Sequence, residues 1–167
     1  NDSVTAPFDD FFEKPLTYTD EFWNIRLSYE TKLGNFLAQC VEEVAGTDIA
    51  YMNATSSGGS IQPGPVTAED ITGVMGFNDP ILKAEITGKQ IYELFELVYV
   101  TERYGNNAGL MYSGLVVYAD HTKPAFRKIQ KITLRDGTPI DPEKTYTVAT
   151  SEYMSTGGND TGLVANR

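Results

Sequence analysis

Across residues 31–45 the apolar side chains Leu33, Phe36, Leu37, Cys40, Val41 and Val44 return every three or four positions, and Gly46 follows as a stop. That spacing predicts an amphipathic helix with one face for a core. Cys40 falls on the apolar face, which predicts a buried, inert thiol. Residues 48–53 then form a short apolar run that enters a Gly/Ser-rich loop over 54–65. Its length and flanks predict a buried strand. Thr67 to Asp70 has the form of a capping box, so a short helix begins there. In 81–86, Leu82, Ala84 and Ile86 alternate with Lys83 and Glu85, the pattern of a half-buried strand. Thr87 with Gln90 caps a further helix that presents Ile91, Leu94, Phe95 and Val98 on one side.

Residues 105–109 read as a loop, and 115–118 and 127–134 as strands. Asp136-Gly137 predicts a hairpin with 146–150 as the returning strand, because both central positions of that turn favour positive φ. A Gly-rich turn over 157–160 closes the chain. Residues 1–24 read as an irregular lead-in held to the surface by Phe8, Phe11, Phe12, Phe22 and Trp23, and 25–167 as a single domain. Helices and strands mix without strict alternation, so the expected class is α+β with a mixed β-sheet.

Composition excludes several functions. The 167 residues carry a formal charge of −10, which disfavours duplex nucleic acid as a partner, since phosphate backbones require a Lys/Arg surface. No apolar run is long enough for a membrane-spanning segment. Cys40 is the only cysteine, so no intramolecular disulfide forms. The first ten residues lack a basic stretch followed by an apolar one, so they are not expected to be a signal peptide. With no Met at its start, the chain reads as processed or excised.

His121 is the only histidine. It cannot by itself supply the His-rich ligand set usual for a dinuclear phosphoesterase centre, and its polar turn predicts a solvated side chain. Asp141, Glu143 and Lys144 read as surface turn residues. Ser57-Gly58-Gly59-Ser60 could cradle phosphate through backbone N–H groups, yet it lacks the Gly-Lys-Ser/Thr of a Walker loop. Taken alone it is an ordinary strand-to-helix connection.

Several segments, in order, resemble the C-terminal domain of the 5'-nucleotidase and UDP-sugar hydrolase family. Glu30, Leu33, Gly34, Asn35, Phe36, Leu37 and Ala38 resemble its E-x-x-L-G-N-L-I-A helix start. Tyr51-Met52-Asn53 leads to Gly64-Pro65-Val66-Thr67 as the family's N-G-G-G-I-R leads to its G-x-I-T. Gly76-Phe77-Asn78 falls where the family has P-F-G-N, and Ile86-Thr87-Gly88 matches its L-T-G. Ser113-Gly114-Leu115 and Asp141 to Tyr146 match its later strand and turn. Val148 to Tyr153, followed by Gly157-Gly158, resembles its V-A-T-N-D-F-L-A-x-G-G-D-G ending. The similarity covers roughly 30–160.

The resemblance implies that this domain grips a nucleoside or nucleotide. A separate N-terminal metallophosphatase domain of the same protein would hold two divalent metal ions and carry out hydrolysis. No catalytic residue, cofactor or metal ligand is then expected here, and the protein is expected at the cell surface, in the periplasm or outside the cell. The implied base-stacking pair is Phe77 and Tyr153, because a base stacked on an aromatic ring gains about 1–3 kcal/mol. Asn53 would orient the ligand, and Gln62 and Asn159 would add neutral hydrogen bonds.

The departures are specific. The arginine of N-G-G-G-I-R is absent: Gly58 stands there when counted from Asn53, or Gln62 when aligned on the glycines. Arg26 lies about one residue out of register with the family's arginine ahead of the first helix. The ending's Asp becomes Asn159, or Asp160 with a shift of one. Phosphate is therefore expected to add little to binding. The alternative is a non-catalytic ligand-binding or structural surface module that kept the fold without the arginines.

Overall fold

The computed structural model describes residues 11–26, 30–76, 78–100 and 109–158. In chain order the elements are β1 (Pro15–Thr19), β2 (Trp23–Asn24), α1 (Lys32–Ala45), β3 (Ile49–Asn53), β4 (Ser60–Ile61), β5 (Gly64–Thr67) and α2 (Ala68–Val74). Then come β6 (Ile81–Thr87), α3 (Gly88–Val100), β7 (Leu110–Ser113), β8 (Leu115–Ala119), β9 (Ile129–Leu134), β10 (Thr145–Ser151) and α4 (Glu152–Ser155). The central sheet has the order β6-β10-β3-β7, and β1–β5, β2–β4 and β8–β9 form separate antiparallel pairs. Within the central sheet β10 and β3 are parallel and the other pairings antiparallel. The α+β class with a mixed sheet is therefore the observed one.

The period-two pleat of β3 separates two cores. Ile49 and Tyr51 join Leu94, Phe95 and Val98 of α3, together with Ile132 of β9. Met52 points to the opposite face, with Leu33 and Leu37 of α1 and Met111. Ala50 and Ala149 lie under the end of α1, where their small side chains let Ala45 and Val41 approach the sheet.

The helix starts follow local chemistry. Thr31 caps α1 by accepting from the Gly34 N–H at 3.1 Å. Thr67 and Asp70 close a reciprocal capping box at 2.8 and 3.2 Å, and Thr87 and Gln90 repeat it at the same two distances. Ile91, Leu94, Phe95 and Val98 are all buried.

Elsewhere the structure corrects the sequence reading. The described part of the lead-in is not irregular: β1 pairs with β5 and β2 with β4. Of its aromatics, Trp23 packs against Phe36, with ring centroids 5.6 Å apart, whereas Phe11, Phe12 and Phe22 are exposed. Phe8 lies outside the described residues. Cys40 is exposed and Val44 is 91% exposed. The two are one helical turn apart and overhang a groove of about 400 Å³ between α1, α2 and β6, instead of facing the sheet.

The strand predicted at 81–86 forms, but residues 81–85 are exposed and only Ile86 is buried, because β6 is a sheet edge. Asp136-Gly137 makes a local turn back to Pro139, with Leu134 N–H donating to the Thr138 carbonyl at 2.8 Å. Gly137 has φ 89°, while Asp136 is not at positive φ. The turn returns the chain along β9 only as far as Ile140, not into the predicted strand. Ile140 bonds back to Ile132, and the 141–144 turn then carries β10 into the centre of the other sheet. β7, which supplies the other sheet edge, went unpredicted because Gly109 and Gly114 bracket only four residues. Of the loop predicted at 105–109, only Gly109 is described.

A tyrosine cluster lies against the helical side of this core. Tyr112 packs edge-on to Phe95, with centroids 5.0 Å apart, and its hydroxyl donates to Glu30 at 3.4 Å. Burial, then the Glu30 charge, push the Tyr112 phenol well above the ordinary range, and burial raises Tyr51 and Tyr99 as well. Each ionises in the unfolded chain near pH 10 but resists ionisation in the fold. The unfolded state therefore binds fewer protons at high pH, so this stabilisation is complete below about pH 10 and is lost as pH rises further. In a titration of tyrosinate absorbance, the last tyrosines are expected to ionise only with the loss of circular dichroism. Ionisation of every tyrosine in a chain that is still folded would contradict this.

Candidate functional site

β3 and β10 run parallel, so both carboxyl ends emerge at one edge of the sheet. The antiparallel neighbours begin at that edge, with Ile81 opposite Ser151 and Leu110 opposite Asn53. Three connections gather there. After β3 the chain makes a 3-10 turn, Ala54–Ser56, and is fastened to the end of α2. The Gly58 N–H donates to Val74 and the Gly76 N–H to Ser56, each at 3.0 Å. The segment before β6 is tied to α4 by the Glu152 N–H, which donates to the Pro80 carbonyl at 2.9 Å. Ser151 caps α4 through its hydroxyl. Ser56, Ser57, Asp79 and Ser151 line a recess of about 30 Å³ at this edge. Ser57 opens the Gly/Ser-rich stretch and Ser151 lies in the closing motif, whereas Ser56 and Asp79, an isolated serine and a loop aspartate, carry no pattern in the sequence.

Asn53 ends β3 and is 4% exposed. Its Nδ2 donates to the Thr55 hydroxyl at 2.7 Å, while its Oδ1 is buried with no hydrogen-bond partner. Such a group costs roughly 1–3 kcal/mol unless something satisfies it. Tyr153, on α4, is 45% exposed, while Met154 beside it is fully buried and anchors the turn. The Tyr153 ring lies against Gly158: a Cβ there would stand 2.3 Å from a ring carbon. Only a residue without a side chain lets the backbone pass that close.

Gln62 is exposed between β4 and β5. Phe77 and Asn159 lie outside the described residues. Their chain neighbours Gly76 and Gly158 are the two glycines that contact Ser56 and Tyr153. The structure thus brings Asn53 and Tyr153 to one edge.

Two cations, Arg26 and Lys32, lie in the sequence between β2 and the first turn of α1. Lys32 is engaged with Glu21. Arg26 is exposed, and the Asn24 amide oxygen, in its favoured orientation, accepts from the guanidinium at 3.1 and 3.2 Å. Asn24 pairs with Ser60 across β2 and β4, so the chain leading to Arg26 continues along the side where Ser60 runs back to Gly59 and Gly58. His121 is exposed, with its ring 5.3 Å from that of Tyr99. Among the described residues no group of three or more His, Cys, Asp or Glu side chains could hold a metal ion.

The family model described as "5'-nucleotidase, C-terminal domain" matches residues 17–165. The trifunctional nucleotide phosphoesterase protein YfkN of Bacillus subtilis is 32% identical over 138 residues, covering 78% of this chain and 9% of that protein. Protein UshA of Yersinia enterocolitica is 28% identical over 130 residues, covering 78% of this chain and 22% of that protein. The chain therefore spans only a small part of the length of these relatives. A 5'-nucleotidase precursor from Thermus thermophilus superposes with a TM-score of 0.80 at 22% identity, covering 98% of this chain and 34% of that one. A sulfate thiohydrolase, SoxB, from a Thermus thermophilus source superposes with a TM-score of 0.71 at 21% identity, covering 92% and 30%. One fold is shared by proteins named for different substrates, so it does not choose between them.

Proposed function

Because the chain belongs to the 5'-nucleotidase C-terminal domain family, we propose that it is the nucleoside-recognising part of a phosphoesterase whose metals and hydrolytic chemistry reside in a separate domain. The observation that carries this reading is the buried, unpartnered Oδ1 of Asn53, on the sheet edge that also presents the exposed ring of Tyr153. A buried acceptor without a donor suits a ligand N–H or O–H, and a half-exposed ring beside it suits a planar base. In this reading Tyr153 and Phe77 stack the base, Asn53 orients the nucleoside, and Gln62 and Asn159 contribute neutral hydrogen bonds at the rim. Divalent metals, when bound by the other domain, supply the activated water.

Arg26 takes the role that Gly58 and Gln62 cannot. Its approach along the Gly-rich loop supports a single phosphate-facing cation, which revises the expectation that phosphate adds little. A position outside the cytoplasm belongs to the same reading; the Thermus neighbour is described as a precursor, and no described helix is long and apolar enough to cross a membrane. The missing arginine of the Gly-rich loop favours a second reading, a binding module without catalytic partners.

The test is an NMR titration of this chain with adenosine and with AMP. Stacking contributes roughly 1–3 kcal/mol per face, and association entropy is subtracted, so affinity is expected between about 0.1 and several millimolar. AMP is expected to bind about five- to tenfold tighter than adenosine, since a charge-assisted contact adds roughly 1 kcal/mol beyond a neutral one. Arg26→Ala is expected to remove that advantage and leave adenosine unaffected. Absence of shifts with either ligand would remove the nucleoside role from this chain.

A further inference from the structure

The two edges of the central sheet are finished differently. β7 is buried along its whole length, whereas β6 leaves residues 81–85 exposed on both faces of the sheet, and its outer edge has no strand paired to it among the described residues. Ile81 and Leu82 are 42% and 39% exposed. An open edge with apolar residues is a template for another strand. A lone lysine on such an edge normally blocks pairing with a copy of itself. Here Lys83 is followed two positions later by Glu85 on the same face, and neither is in an ion pair among the described residues.

We infer that β6 is a self-association edge, where a second copy of this chain adds its own β6 antiparallel about Ala84 to make a continuous eight-stranded sheet. The sequence of β6 is complementary to itself in that register. With Ala84 opposite Ala84 on the twofold axis, Lys83 of each copy stands opposite Glu85 of the other, so two opposite-charge cross-strand pairs form per dimer. On the other face Leu82 meets the flank of Ile86, and at the ends Ile81 meets Thr87, giving apolar and β-branched pairs. The small Ala84 leaves room at the axis. A register slip of one residue would place Lys83 against a neutral residue, so the charges also select the alignment.

The inference is independent of the nucleoside site and is tested by sedimentation of the chain over a range of concentrations. The wild type is expected to form a reversible dimer. Lys83→Glu and Glu85→Lys each convert both attractive pairs into repulsive ones and are expected to weaken association by roughly tenfold or more. Both positions are exposed, and circular dichroism checks that the variants remain folded. Mixing the two single variants restores opposite charges across the axis, so heterodimers, distinguished by mass in native mass spectrometry, are expected to form. The double variant carrying both changes is expected to dimerise like the wild type. A wild type that stays monomeric at its highest soluble concentration overturns the inference. So does a dimer that neither single variant weakens, or a mixture that fails to pair.

Discussion

Gly114→Ala is expected to destabilise the domain by about 3 kcal/mol or more, a large share of the roughly 5–15 kcal/mol that holds a domain folded. Gly114 joins β7 to β8 at φ 86°, a conformation that costs an L-residue roughly 1–2 kcal/mol. Space is the larger problem. A Cβ would lie 2.2 Å from the Asp48 carbonyl oxygen and 3.0 Å from the Ile49 Cα. Both are backbone atoms at the start of β3, which is buried throughout and paired on both sides, so the strand cannot retreat without disturbing the sheet. Gly137→Ala is the control. It has φ 89° and nothing within 4 Å of the added carbon, so only the conformational cost of about 1–2 kcal/mol applies. Urea denaturation of the two variants separates the terms. Equal losses would mean that the close approach to β3 contributes nothing.

Tyr153→Ala is expected to lower adenosine affinity by about tenfold or more, since it removes a stacking face worth roughly 1–3 kcal/mol. Tyr153→Phe keeps the face and is expected to bind within about threefold of wild type. Stability should change little in either case, because the ring is nearly half exposed and the buried neighbour Met154 anchors the turn. Gly158→Ala tests the same point from the other side. Its Cβ would overlap the Tyr153 ring, which must then swing away, so binding is expected to fall although the tyrosine is retained. NMR titration measures all three variants. Wild-type affinity in Tyr153→Ala would move the proposed base site elsewhere.

The proposed charge at the site rests on pairing that local pattern could not reveal. Counting along the sequence leaves Arg26 a residue out of register with the family motif and far from the Gly-rich loop. The β2–β4 register, Trp23 with Ile61 and Asn24 with Ser60, carries the segment back to that loop. A two-residue strand has too few side chains to show alternation, so neither partner was legible as a strand. Gln62, placed by its position in the motif, stands exposed between β4 and β5.

What the sequence determined by itself was whatever closes within a few residues. Two helix starts were readable because Thr67 and Thr87 cap N–H groups three positions ahead, and α1 was readable from its apolar spacing. The buried face of α3 followed from helical spacing, and the family from motifs in shared order. Tertiary structure decided which strand lies beside which. β10 was readable as a strand, but its place between β6 and β3 depends on residues some hundred positions away in sequence, as in the Thr150 hydroxyl bonding to the Tyr51 carbonyl. The same long-range pairing left β6 at an edge, exposing a strand whose alternation promised half burial. It also left Cys40 and Val44 over a groove although they share the apolar stripe of α1. Periodicity specifies that a face is apolar; only the packed neighbours specify whether anything covers it.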